Sequence, residues 1–255
     1  QKAIAEGGRA MIYHAAQLAD KMTDALTQGD QAKFEEYDDK LGFYTPILKG
    51  FLTELGLEAA NHGMQVFGGH GYIKEHGMEQ IARDARIATL YEGTTGVQAL
   101  DLIGRKVLLS SKGKVVRDYT AEILRFCGRH APNKYMRRFA WDLTKICAQW
   151  NALTVRLMLA ARKDRDIVSS ASVDFLMFSG YAMMAYYWAQ QAAVASEKLE
   201  AGNGAETPEF YKAKIKVADF YFERILPRTQ GHAEAMVNPS KTMMSLAPEH
   251  FSFDY

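Results

Sequence analysis

The sequence predicts an all-α protein. Its six prolines (Pro46, Pro132, Pro208, Pro227, Pro239 and Pro248) leave long intervals filled by Ala, Leu, Met, Lys, Glu and Gln, residues that favour helix. No stretch shows sustained two-residue alternation bounded by hairpin turns. Apolar residues instead recur at three- and four-residue steps, as Leu48, Phe51, Leu52, Leu55 and Ala59 do.

Helices are expected at about 2–28, 45–67, 76–89, 95–109, 114–130, 134–163, 168–200 and 208–229. The chain starts at Gln1 directly in a helical pattern with no basic and apolar leader, which suggests a segment of a longer protein. Thr45 reads as the cap of the second helix, with Pro46 in its first turn. Gly68 and Gly69 read as its end, because glycine takes the left-handed cap conformation at little cost. Asn133 reads as the cap of the helix from 134. Lys134, Arg137 and Arg138 at that helix's start oppose its dipole and need a compensating partner.

The small, basic stretch SSKGK at 110–114 interrupts the apolar pattern and suggests a boundary between residues 1–109 and 114–255, one helical bundle followed by a second. A loop at 201–208 precedes the last long helix. The tail from Gly231 shows no clear periodicity, and its aromatics suggest docking on the body.

Composition narrows the function classes. With 48% hydrophobic and 24% charged residues, the 255-residue chain has an ordinary globular balance and enough apolar material for a core. A formal net charge of +1 argues against a broad footprint for nucleic acid. Cys127 and Cys147 lack metal-ligand spacing and read as buried free thiols in a reducing, cytoplasmic setting. From Phe175 to Ser196 there are 22 residues without a formal charge, long enough to span a bilayer. Gln190, Gln191, several Ala and three Tyr favour instead the central helix of a bundle, with at most peripheral membrane contact.

Chemistry concentrates between Gln65 and Ile103. A Gly-rich turn, GGHG at 68–71, is followed by a short amphipathic helix and a second turn, YEGTT at 91–95, with a further apolar helix after it. Turns rich in backbone N–H groups suit a phosphate-bearing ligand, and Glu92 in the second turn is a candidate general base. The same residues admit plainer roles: Glu92 as cap of the helix starting near Thr94 or Thr95, and the glycines as a helix C-cap with a tight turn. No GxSxG, Walker or metal-ligand pattern is present.

Three blocks in this order, Q-x-F-G-G-x-G-Y, R-D-A-x-I and Y-E-G-T, resemble the C-terminal helical domain of the acyl-CoA dehydrogenases. YEGTTG-x-QALDL-x-GRK through Lys106 resembles in particular the large bacterial members, which carry an additional C-terminal helical bundle. The resemblance implies an FAD enzyme that converts an acyl-CoA thioester to a trans-2-enoyl-CoA. Glu92 would remove the α-proton while the β-hydride passes to flavin N5. A carboxylate suits that role once an apolar acyl chain shuts water out. Gly93 would lie against the substrate, where a side chain would collide with thioester or flavin. Gln65, Gly68 and Gly69 would reach the ADP part of a neighbouring subunit's FAD, and Thr94 and Gly96 would approach the flavin from a helix N-terminus. Gly96 stands where many relatives carry Gln or Asp, so only a backbone contact is expected from it. Arg83 and Asp84 read as holding the short helix against its neighbours, and His70 as a turn residue.

The resemblance further implies a homo-oligomer, dimer or tetramer, that passes electrons to an electron-transferring flavoprotein. Residues 1–255 alone, without the rest of the cofactor and acyl pockets, are expected to be inactive. Three other readings stand beside this one: an acyl-CoA oxidase, a non-catalytic helical dimerisation or docking module, and a DNA-associated relative, the last disfavoured by the near-neutral charge.

Overall fold

A computed structural model describes residues 1–250; Phe251, Phe253 and Tyr255, the aromatics expected to dock the tail, lie outside the described residues. Helices and turns account for the ordered elements, and there is no strand among the described residues. The first half contains α1 (Lys2–Thr27), α2 (Gln31–Phe67), the single turn α3 (Gly69–Tyr72), α4 (Met78–Ile87) and α5 (Thr95–Leu100). The second half contains α6 (Lys114–His130), α7 (Arg137–Ala160), α8 (Asp166–Ala201), α9 (Pro208–Phe220), α10 (Thr229–Met236) and α11 (Lys241–Met244).

α2 departs most from the sequence expectation. It begins fourteen residues earlier than the expected 45 and runs straight through Pro46. Asp30 is its true cap, accepting from the Lys33 backbone N–H at 3.1 Å. Thr45 is not a cap: it lies within the helix, and its hydroxyl donates back to the Leu41 carbonyl at 2.7 Å. An interior proline forfeits one ladder bond and crowds the carbonyl four residues back. Here that residue is Gly42, beside which the Lys106 ammonium sits, and Phe43, Tyr44 and Ile47 around the break are all buried. Burial of this aromatic turn offsets the lost bond.

The helix expected over 95–109 forms, but from Asp101 to Ser110 it is wound as π-helix. Leu102 and Val107, five residues apart, are both fully buried, and a π turn brings such a pair to one face. The helix expected over 208–229 is capped as foreseen, with the Thr207 hydroxyl accepting from Phe210 N–H and Pro208 at the first position. It then loosens to a π turn at Tyr221–Ile225 and a 3-10 turn at Leu226–Arg228, because Pro227 cannot continue the ladder. Helix resumes as α10, passing through Gly231 and burying Ala233 and Met236 in a stretch that reads as aperiodic.

Asn133 caps no helix directly; α7 starts at Arg137. Its side chain instead accepts from Tyr135 N–H at 2.8 Å and donates to Ser196 at 3.1 Å, shaping the turn before α7. Of the three cations around the start of α7, Arg138 finds a partner across the bundle, pairing with Glu223 at 2.7 Å.

α8 is the axis of the molecule. It packs against α1, α2, α5, α7, α9 and α10, and it is long and apolar enough to cross a membrane, yet 67% of its most apolar window is buried within the protein. Polar tips on this helix find partners inside. Trp188 donates to the Ala3 carbonyl at 3.0 Å, Tyr187 to the Tyr44 hydroxyl at 3.2 Å, and Tyr221 of the π turn to the Tyr181 carbonyl at 2.8 Å. The two helical stretches share one continuous core: Phe43 and Tyr44 lie against Tyr119 and Trp150, and Phe51 meets Tyr181 edge-on at 4.9 Å.

A polar clasp closes the same joint. Arg228 binds Glu58 of α2 through two bonds of 2.8 Å, and its hydrogen bonds hold the Glu58 carboxyl below its ordinary range despite partial burial. Both cysteines are free and buried, and burial pushes the Cys147 thiol up to about 12.

Candidate active-site turn

The two turns singled out in the sequence sit at opposite ends of α4, whose ten residues span about 15 Å. At the near end, α2 stops at Gly68, whose φ of +59° and ψ of −143° are essentially restricted to glycine. Gly68 and Gly69 have open space where a side chain would stand, and both are exposed, as is Gln65. Gly71 is required for a different reason: a Cβ there would meet the Met64 carbonyl oxygen at 2.4 Å. The turn therefore presents bare backbone and one free amide side chain. His70 is exposed and rests against His76, as a turn residue would.

At the far end, Glu92 has φ of +54°, one of two non-glycine residues with positive φ among the described residues. A bulky residue in the left-handed region is strained by roughly 1–2 kcal/mol and persists only where its surroundings impose it. Those surroundings can be named. Gln98, one turn into α5, donates its amide to the Glu92 carbonyl at 3.1 Å. Gly93, at φ +90°, holds a conformation that L side chains rarely adopt, and the Gln98 amide lies where its Cβ would stand. Thr94 caps α5, accepting from Val97 N–H at 3.4 Å, so the capping role considered for Glu92 belongs to Thr94. The Glu92 side chain is exposed and no side-chain hydrogen bond ties it down among the described residues.

Three further residues position this turn, and the sequence offered no sign of them. Lys49 of α2 donates to the Ala88 carbonyl at 2.7 Å and sets its ammonium 5.7 Å from the centre of the Tyr91 ring. Glu54, also on α2, accepts from the Thr95 hydroxyl at 2.5 Å. Gly50 between them allows close approach, since a Cβ there would meet Leu176 at 2.7 Å and Gln98 at 3.5 Å. One face of α2 thus grips the turn on either side of Glu92. No local pattern could reveal this, because the partners lie about forty positions apart.

Position 96 is open, so Gly96 exposes its backbone at the first turn of α5, where N–H groups point outward without intrahelical acceptors. Arg83 and Asp84 depart from their expected role. Asp84 accepts from Gln80 within its own helix at 2.7 Å, and Arg83 is exposed, so neither fastens α4 to a neighbour among the described residues. Arg83 instead lines a cleft of about 520 Å³ between α2 and α4 with Lys74, Arg86, Glu79, Asn61 and Tyr72, three cations and one carboxylate.

Comparison with known proteins bears on this geometry. Residues 2–108 match the family described as acyl-CoA dehydrogenase, C-terminal domain, and residues 119–247 match the family described as acetyl-CoA dehydrogenase C-terminal like. The chain belongs to the acyl-CoA dehydrogenase family. It is 34% identical over 226 residues to a 3-methylmercaptopropionyl-CoA dehydrogenase of Ruegeria pomeroyi, which covers 88% of this chain and 37% of that protein. It is 32% identical over 252 residues to a broad-specificity linear acyl-CoA dehydrogenase of Mycobacterium tuberculosis, covering 96% of this chain and 41% of that protein. The chain therefore spans about two fifths of the length of these relatives. Its fold is that of a Bacillus anthracis acyl-CoA dehydrogenase solved with FAD, with a TM-score of 0.65 at 16% identity over 95% of this chain and 43% of the other.

A positioning role for Gln98 has a measurable consequence. Gln98→Leu should cost the fold about 1 kcal/mol by removing the bond that holds the Glu92 carbonyl. An unchanged denaturant midpoint in the variant would show that the Gln98 bond does not hold the turn.

Proposed function

We propose that this chain carries the base and part of the cofactor site of an FAD-dependent acyl-CoA dehydrogenase. Glu92 removes the α-proton of an acyl-CoA thioester, and the β-hydrogen leaves with its electron pair, giving a trans-2-enoyl-CoA. The observation that carries this reading is the Glu92 turn: a carboxylate kept on strained backbone by Gln98, Lys49 and Glu54, with its own side chain free to act.

The residues present fit FAD. Gln65, Gly68 and Gly69 offer an exposed amide and backbone that a pyrophosphate or adenine can approach closely, and Thr94 and Gly96 offer the start of α5. FAD, when bound, supplies the two-electron acceptor. Because the two turns lie at opposite ends of α4, the glycine turn suits a cofactor held by another subunit, which makes a homo-oligomer of two or four copies part of the proposal. An electron-transferring flavoprotein is the proposed electron acceptor.

Residues 1–255 alone should not turn over. Val66, Tyr72, Leu90, Tyr91 and Val97 around the two turns are exposed, so water reaches the carboxylate that catalysis needs dry. The test is an anaerobic absorbance titration of the full-length protein with acyl-CoAs of graded chain length. Bleaching of a flavin band by one class of thioester supports the reading and names the substrate. A flavin-free protein, or a flavin that no thioester bleaches, overturns it.

A further inference from the structure

We propose that the outer face of the α6–α7 hairpin docks on an anionic phospholipid surface. The near-neutral total charge conceals a strong division. Residues 112–165 carry thirteen Lys and Arg against four Asp and Glu, a net +9, so the remainder of a chain at +1 carries −8. The α6–α7 hairpin itself, residues 114–160, carries nine of those cations against three carboxylates, and α7 packs on α6 and α8.

α7 is apolar on two sides. Its inward face, with Phe139, Leu143, Ile146, Trp150 and Leu157, is buried. On the opposite face, Trp141, Ala148, Ala152, Val155 and Leu159 follow one another at steps of seven, four, three and four residues and form a single outward stripe. All five are exposed, Trp141 by 65%, Val155 by 49% and Leu159 by 52%. Arg137 and Arg156 flank the stripe on α7, as does Lys145, which pairs with Asp142 at 2.7 Å, and Arg125 and Arg129 are exposed on the neighbouring α6. Lys145 lies 5.7 Å from the centre of the Trp141 ring, and Lys134 lies 4.9 Å from that of Tyr135, itself half exposed.

The combination selects among occupants. A nucleic acid would use the cations but leave the aliphatic stripe in water. A second copy would set one excess of positive charge against another. A bilayer with acidic headgroups satisfies both features, since cations meet phosphates while Trp141 and the aliphatics enter the interfacial layer. The membrane here is touched by α7, not crossed by α8, whose apolar residues are already used in the core.

The experiment is co-sedimentation of the full-length protein with vesicles of pure phosphatidylcholine and of an equal phosphatidylcholine–phosphatidylglycerol mixture. Binding is expected only to the mixture, weakening as salt rises. Arg125→Glu with Arg137→Glu should reduce partitioning at least tenfold, and Trp141→Ala several-fold, with circular dichroism unchanged because all three residues are exposed. Iodide quenching adds a local probe: Trp150 and Trp188 are fully buried, so the difference between the parent and Trp141→Phe reports on this stripe. Shielding of Trp141 by mixed vesicles supports the proposal. It is overturned by absence of binding to the mixture or by binding that the variants leave unchanged. It is equally overturned if Trp141 is already shielded without vesicles, which would assign the stripe to another copy or another part of the chain.

Discussion

Glu92→Gln in the full-length enzyme should lower kcat by about a thousandfold, within the range a positioned general base supplies. The fold should hardly notice, because the carboxylate ties no neighbour among the described residues and the helix cap is Thr94. Exchange of the substrate's α-proton in heavy water isolates the step: the parent should exchange it and the variant should not. Glu92→Gly makes the sharper companion. It should be equally inactive yet more stable than the parent by about 1 kcal/mol, since glycine accepts a φ of +54° without strain. A turn that is stabilised by losing its functional residue is one shaped for chemistry at the expense of stability. A Glu92→Gln enzyme with undiminished turnover would end the base assignment.

Gly180→Ala should destabilise the protein by about 2 kcal/mol, and Gly180→Val should prevent folding. A Cβ at position 180 would lie 2.2 Å from the Phe51 ring, which is fully buried and braced edge-on by Tyr181. This is where α8 crosses α2, so the damage falls on the joint between the two helical stretches. Gly128→Ala supplies the opposite sign. Position 128 lies in α6 with nothing within 4 Å, and there alanine's helix preference should stabilise by about 0.5–1 kcal/mol. Denaturant midpoints of the two variants measure both. If they shift the same way, the α2–α8 contact is not as close as described.

The difference between these two glycines illustrates what local sequence carries. Both sit inside helices, and residue type alone does not separate them; the arrival of Phe51, about 130 positions away, makes Gly180 indispensable. The same holds for α2. Pro46 suits the first turn of a helix, so the local sequence starts the helix there. The structure extends it back through Pro46 because Phe43 and Tyr44 meet Tyr119 and Trp150, contacts that no window around Pro46 contains. Where the cap and the apolar period agree, as at Thr207–Pro208, the expected and observed helix starts coincide.

The candidate site divides in the same way. Gly68 was legible as the end of α2 because positive φ is a local property of the backbone expressed by residue type, whereas the cap of α5 fell on Thr94 and not on Glu92. Lys49, Glu54 and Gln98 were not legible, since Lys, Glu and Gln suit any exposed helix face and acquire a role only through what they touch. By itself, the sequence determined the all-α class and the two glycine-bearing turns between Gln65 and Ile103, because these follow from short-range preferences. The tertiary structure decided that α8 is a core axis, that α2 runs unbroken beneath the Glu92 turn, and that a stripe of α7 faces outward. Each of those depends on which surfaces meet, and burial is a property of the packed chain as a whole.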